Sequence, residues 1–237
     1  MLDGQYAFAD DSDGVNFSAD KRLAALIDAG TVPETIIVAV DNLEDDRFLQ
    51  YMPQSLYAVG NEGLRDVVDR ERKRLDGKPL VSGAFVRFLA DELKPFIDRR
   101  YRTRPGRLDT AIFGASMAGV MSGAIFVEAQ ESFGLGACMS PNWAIYDNRM
   151  IDLPGLPQVW SDYFSKLGAP DGRRLWLDHG TKMMDAGMVP HQRAIADRLV
   201  SMGWQRGCNL QTRVYDAGHA FAQTAVQMDE VLAWLLA

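Results

Sequence analysis

Thr110-Ala111-Ile112-Phe113-Gly114-Ala115-Ser116-Met117-Ala118-Gly119 is the stretch from which the rest of the chain is best read. Thr110 to Phe113 is a short apolar run of strand character, and residues 117–129 form a small-residue helical pattern directly after it. A serine placed between strand and helix, with small neighbours, has the context of a nucleophile elbow. The turn is so tight that bulky residues beside the serine are excluded. The Oγ is then held above the sheet, near a helix N-terminus whose partial positive charge favours a developing oxyanion. Ser116 is therefore the candidate nucleophile, and the Met117 N–H is the first candidate oxyanion donor. The usual pattern is Gly-x-Ser-x-Gly; here Ala118 holds the last place, which adds one methyl at a close helix–strand contact. The plain alternative is a strand–helix turn without chemistry.

Outward from this stretch the same rhythm recurs. Residues 35–40, 135–139, 174–178 and 210–215 read as strands, the last alternating in the manner of an edge strand. Residues 20–29, 85–97, 190–202 and 225–236 read as helices, and Pro95 is expected to kink the second of these or end its regular part. Strands alternating with helices imply an α/β fold with a mostly parallel central sheet and helices on both faces. Two stretches break the rhythm. Residues 54–83 carry a mixed charge run from Asp66 to Arg74, which reads as a solvated helix or loop, or more sharply as a flap over a site. Residues 142–170, with Pro154, Pro157 and several aromatics, are expected to border a pocket.

Composition narrows the classes. The 237 residues are 47% hydrophobic and 24% charged, which suits one domain with a substantial core and excludes global disorder. A net charge of −7 without a basic stripe makes nucleic acid and anionic membrane poor partners. No apolar run reaches the roughly 20 residues that span a bilayer. The start, MLDGQYAFADD, lacks the basic and apolar regions of a secretory signal, so a cytoplasmic location is expected. Cys138 and Cys208 form no Cys-x-x-Cys pair, so no metal site is expected, and Cys138, inside an apolar run, reads as a buried thiol.

A serine nucleophile needs a base, and the histidines are His179, His191 and His219. His219 follows the last strand and precedes the last helix, the place of the base in the order Ser…acid…His. His191 reads as a surface or capping residue, and His179 as a packing or site-lining residue at a strand end. The acid is Asp178, at the end of the run 174–178, or Asp185, in the loop after it, and spacing does not choose between them. It would orient the imidazole and stabilise the imidazolium. The second oxyanion donor is assigned to the N–H of Gln5, in a loop where Gly4 permits close backbone approach.

Five segments together resemble the branch of the α/β-hydrolases that holds the esterase D-like and enterochelin-esterase-like proteins. They are Leu2-Asp3-Gly4-Gln5; Val40-Asp41-Asn42 with Arg47, Tyr51 and Pro53; Glu92 to Asp98 with Tyr101-Arg102-Thr103; the elbow Gly114 to Gly119; and Leu177-Asp178-His179-Gly180-Thr181 with Asp185, then Gly218-His219. Their order covers nearly the whole chain. The resemblance implies an α/β-hydrolase fold with Ser116 as nucleophile, His219 as base and Asp185 as the preferred acid. It implies no cofactor, and a small-molecule ester as substrate, drawn from siderophore esters, acylated sugars or simple esters. Two features depart from the family: Ala118, and the absence of an acidic residue just after His219, where Ala220 and Phe221 stand.

In that fold the strand before the Asp-Gly loop lies between two others, yet only Met1 and Leu2 precede the loop here. The sheet is accordingly expected to be N-terminally short, lacking its first strands, through truncation, direct pairing across the gap or a borrowed strand. An open slot would also favour a homo-oligomer. Arg47, Tyr51, Trp143 and Trp160 are candidate pocket residues, with core or surface roles equally open. The reading is a serine hydrolase that cleaves a carboxylic ester through an acyl-enzyme on Ser116. The rival is a catalytically silent hydrolase-like binding protein, and a third reading is acyl transfer to an acceptor other than water.

Overall fold

The strands of the computed structural model, which describes residues 1–8, 16–146 and 150–237, follow four of the five apolar runs. They are β1 (Ala111–Ala115), β2 (Leu135–Met139), β3 (Arg174–Gly180) and β4 (Leu210–Tyr215). All neighbours pair in parallel, in the order β1-β2-β3-β4, so β4 lies at an edge as its alternation implies. Parallel neighbours need crossovers, and helices supply them. The helices are α1 (Ala19–Asp28), α2 (Arg47–Tyr51), α3 (Gln54–Val59), α4 (Glu62–Arg74), α5 (Ser82–Arg87), α6 (Lys94–Arg100), α7 (Met117–Glu128), α8 (Leu156–Phe164), α9 (Val189–Ser201) and α10 (Phe221–Leu236).

Alternation along the strands makes two apolar layers. Ile112, Cys138, Leu175 and Leu177 face one core, which holds α7, α8 and α9 with Trp143, Trp160 and Phe164. Phe113, Leu135, Ala137, Met139 and Trp176 face the other, which α1 and α10 close through Leu23, Met228, Val231 and Leu235. The α7 helix is buried from Met117 through Val127, which explains its small residues. A Cβ on Gly123 would come within 3.0 Å of both Phe164 and Trp143. Trp143 and Trp160 are fully buried, and the Trp160 indole N–H donates to the Trp143 carbonyl at 2.6 Å, so both are core residues.

Three expectations are corrected. Residues 36–40 form no strand among the described residues; Val40 alone makes a parallel bridge, to Leu2. Leu2 N–H donates to the Phe113 carbonyl and Val40 N–H to the Met1 carbonyl, each at 3.0 Å, so two residues hold the place between these segments. Neither direct pairing nor a full strand joins them. Toward the start of β1 the space opens into a cavity of about 590 Å³, lined by Ile36, Val38, Leu89, Ile97, Ala111 and Phe113 among others. The Met1 nitrogen donates to the Val38 carbonyl at 2.9 Å. Second, the irregularity expected at Pro95 falls before it. Residues 88–93 widen into a π-helical turn, and Pro95 sits in the first turn of α6, where its missing N–H is least costly. Third, His191 is buried within α9 rather than exposed, its Nδ1 3.2 Å from the Gly187 carbonyl.

The charge run of residues 66–74 lies on α4, whose other face buries Leu64, Val67 and Val68. No described helix is long and apolar enough to cross a membrane.

The elbow depends on Gly114. A Cβ there would sit 2.8 Å from the Ala118 Cβ and 2.9 Å from the Ala118 carbonyl oxygen, and neither can swing away as the tip of a long side chain does. Gly114→Ala is therefore expected to destabilise the fold by about 1–3 kcal/mol in a urea titration; an unchanged midpoint would show that the elbow relaxes freely.

Candidate active site

The site lies at the carboxyl ends of β1 to β4, where parallel strands deliver their following loops to one edge of the sheet. Ser116 joins β1 to α7 with φ 58° and ψ −124°, a conformation that costs a non-glycine residue energy and that the packed strand and helix enforce. Its carbonyl accepts from Val120 N–H at 3.1 Å and its own N–H donates to the Met139 carbonyl at 3.0 Å. The backbone is thus fixed from both sides while the Oγ stands clear.

His219 precedes α10. Its Nε2 lies 2.8 Å from Ser116 Oγ, and its Nδ1 lies 2.6 Å from Asp185 Oδ1. Phe221, at the start of α10, packs on Phe17 with ring centroids 4.2 Å apart and on Tyr6 at 5.8 Å. These contacts anchor the loop that carries His219. Asp185 sits in the 3-10 turn Met183–Met188 after β3 and is 1% exposed. Burial works against its charge. Hydrogen bonds from His219, Ser140 and the Gly180 N–H outweigh burial and hold its carboxyl below the usual range. Gly180 is required here, because a Cβ would run into the Ala217 carbonyl and come within 2.9 Å of Asp185 Oδ2.

Asp178 is placed differently. It is fully buried, accepts from Ser140 N–H at 2.6 Å and from the Trp176 indole N–H at 2.7 Å, and makes no hydrogen bond to His219. The structure therefore joins Ser116, His219 and Asp185 in one hydrogen-bonded line and leaves Asp178 behind it. His179 is buried, with Nδ1 2.7 Å from the Gly180 carbonyl.

Met117 opens α7 beside Ser116, and a first-turn N–H has no partner within its own helix. Gln5 lies in the 3-10 turn Gly4–Tyr6. A Cβ on Gly4 would fall 2.5 Å from the Val40 nitrogen, so only glycine lets this turn approach. Asn42 N–H donates to Gln5 Oε1 at 3.2 Å. Asp3, at φ 56°, clamps the turn: Arg47 binds its carboxylate through two N–H groups at 2.9 and 2.6 Å, and Asn42 adds a third at 2.6 Å. Tyr51 is buried and its hydroxyl accepts from Asp3 N–H at 3.1 Å. Arg47 and Tyr51 thus brace the N-terminal turn. Among the described residues no cluster of His, Cys, Asp and Glu is arranged to hold a metal.

Ser140 escaped the sequence reading. It stands directly after β2 and is 3% exposed. Its Oγ donates to Asp185 Oδ2 at 2.6 Å and lies 3.1 Å from His219 Nδ1. The available signal was a polar residue closing the apolar run Leu135 to Met139, at the same strand end that the other site residues share.

Burial pushes Asp178 up to about 7 despite its two hydrogen bonds. A carboxyl with a raised folded-state pKa is ionised first in the unfolded chain. Its contribution is intact below the usual 3.8 and is lost as pH rises toward about 7. Asp178→Asn, whatever its baseline, is expected to remove this fall in stability between about pH 4 and 7 in urea titrations; a slope identical to wild type would refute the assignment.

The Esterase family model, described as Putative esterase, matches residues 1–235. No curated protein matches at a significant level. Among solved structures, the enterobactin esterase Fes from Shigella flexneri with 2,3-dihydroxy-N-benzoyl-glycine is 15% identical, with TM-score 0.66, covering 99% of this chain and 51% of that one. The enterochelin esterase from Shigella flexneri is 16% identical with TM-score 0.62, covering 98% and 49%. An IroE-like serine hydrolase from Shewanella oneidensis is 16% identical with TM-score 0.65, covering 99% and 68%. The chain spans about half the length of the first two, and these likenesses concern the fold, an α/β-hydrolase-type architecture. With a family model that spans almost every residue, the chain belongs to the Putative esterase family.

Proposed function

We propose that the chain is a serine hydrolase that cleaves a small carboxylic ester through an acyl-enzyme on Ser116. The observation that carries this reading is the continuous line from Ser116 Oγ through the His219 ring to Asp185, at 2.8 and 2.6 Å. A neutral imidazole with its proton on Nδ1, facing the carboxylate, turns the Nε2 lone pair toward the serine. His219 takes the Ser116 proton as Oγ attacks the ester carbonyl, and returns it to the departing alkoxide. Water then attacks the acyl-enzyme with His219 again as base, and Ser116 is released. Asp185 stays ionised through the neutral range and stabilises the imidazolium without taking its proton.

The tetrahedral oxyanion forms beside the start of α7. The Met117 N–H is one donor, and the Gln5 N–H, held by the Asp3–Arg47 clamp, is the second. Nothing in this scheme needs a metal or an organic cofactor. Substrate choice within the esters belongs to the loops over the strand ends, not to the fold. The names of the structural neighbours, which share only about 15% identity, do not select it.

The test is hydrolysis of short p-nitrophenyl esters, with fluorophosphonate labelling in parallel. Wild-type protein is expected to turn over and label, and Ser116→Ala to lose both. Asp185→Asn is expected to keep its fold and lose activity on the order of 10⁴-fold in kcat, because the amide favours the wrong tautomer. Folded wild-type protein that neither turns over nor labels would replace this reading with that of a silent, hydrolase-like binding protein. Acyl product formed on an added alcohol in preference to water would mark a transferase.

A further inference from the structure

We propose that Ser140 is a positioning residue of this site, its hydroxyl holding Asp185 and His219 in register and Asp178 holding Ser140 in turn. The inference rests on the hydrolase reading above and extends it to a residue outside the Ser116–His219–Asp185 line.

The hydrogen-bond count at Asp185 makes the argument. Oδ2 accepts from Ser140 Oγ at 2.6 Å and from Gly180 N–H at 2.8 Å, and Oδ1 receives His219 Nδ1 at 2.6 Å. The two contacts on Oδ2 stop the carboxylate rotating, so Oδ1 is held where the imidazole needs it. A serine hydroxyl has one proton, and an ionised carboxylate accepts but does not donate, so that proton goes to Oδ2. The Ser140 oxygen then offers a lone pair to whatever lies beyond it, which is His219 Nδ1 at 3.1 Å. The Nδ1 proton therefore sits between two acceptors, Asp185 Oδ1 and Ser140 Oγ. Rotating the ring would forfeit both, and moving the proton to Nε2 would set Asp185 Oδ1 against a bare nitrogen lone pair and draw the Ser140 proton away from Asp185 Oδ2. Ser140 thus favours the tautomer that leaves Nε2 free for Ser116.

Ser140 itself is not placed by its strand alone. It leaves β2 at φ 39°, a left-handed conformation uncommon for serine. What holds it is the backbone: its N–H donates to Asp178 Oδ1 at 2.6 Å, and the other oxygen of that fully buried carboxyl takes the Trp176 indole N–H at 2.7 Å. The second carboxylate of the β3 end is in this way assigned a task of its own. It fixes the residue that fixes the acid.

The test compares Ser140→Ala, which keeps a Cβ, with Ser140→Gly, which suits the left-handed backbone and removes any doubt about strain. Active sites are counted by fluorophosphonate burst so that kcat refers to folded, competent protein. Both variants are expected to lose about tenfold to a hundredfold in kcat, the range for a hydrogen bond to a charged group, with KM nearly unchanged. In proton NMR the far-downfield Nδ1 proton of His219 is expected to shift and to exchange faster with water. In an Asp185→Asn background the Ser140→Ala loss is expected to shrink strongly, because the hydroxyl acts through that carboxylate.

Wild-type kcat per active site in both variants, with an unmoved Nδ1 proton, would overturn the proposal and leave Ser140 a turn residue. So would an equal loss with and without Asp185. If the wild-type protein is folded but hydrolyses and labels nothing, the hydrolase reading has failed instead, and the Nδ1 resonance of Ser140→Ala against wild type still decides whether the hydroxyl holds the ring.

Discussion

The parallel register of four strands is the constraint on which the rest depends. Ala115 pairs with Met139, Cys138 with Leu177, and Gly180 with Tyr215, so the strands end together along one edge. Each chain segment leaving that edge has to turn toward a helix, and each turn places one polar side chain above the sheet. Ser116 follows β1, Ser140 follows β2, Asp185 follows β3 and His219 follows β4. Residues up to 103 positions apart in sequence thereby meet within hydrogen-bond distance. A slip of one residue in any ladder would reverse the faces of that strand and carry its terminal residue off the edge.

The same edge concentrates buried carboxylates, and each is made tolerable by donors aimed at it. Asp3 is met by Arg47 and Asn42, Asp178 by Ser140 and Trp176, and Asp185 by Ser140, Gly180 and His219. Their environments separate them. More donors surround Asp185, and its carboxyl is held low, whereas complete burial and the neighbouring Asp185 charge help to raise Asp178. A buried charge without such partners would cost several kcal/mol. Cys138, beneath this edge, is fully buried and its thiol is raised well above its ordinary range, which makes it an inert core group.

Much of this was legible one segment at a time. The elbow was readable because tight strand–helix turns exclude bulky residues, and Gly114 and Ala118 do press against each other. The four strands, and the helices after β1, β3 and β4, showed in apolar runs and helical periodicity, whereas α8 lies inside residues 142–170, where the prolines hide its pattern. The failures share a cause. Residues 36–40 look like a strand, but a strand requires a partner along its length, and among the described residues only Leu2 bridges to Val40. Pro95 looks like the point where its helix loses regularity, yet the π-helical turn lies at residues 88–93, just before it. The isolated residue type in these cases sets a preference of a few kcal/mol at most, which neighbouring packing overrides.

Local chemistry in the sequence was sufficient to indicate the α/β alternation, the tight strand–helix turn at Ser116 and the histidine after the last strand, because each is a property of a few consecutive residues. It left Asp178 and Asp185 as alternatives, since one stands near the end of β3 and the other in the loop after it. Only the tertiary structure separated them, by turning Asp178 under the sheet edge toward Ser140 and Trp176 and Asp185 over it toward His219. It alone also brought Ser140 into the site and gave Arg47 and Tyr51 their task around Asp3. Such choices depend on distances between residues far apart in the chain, and those distances exist only once the strands have paired.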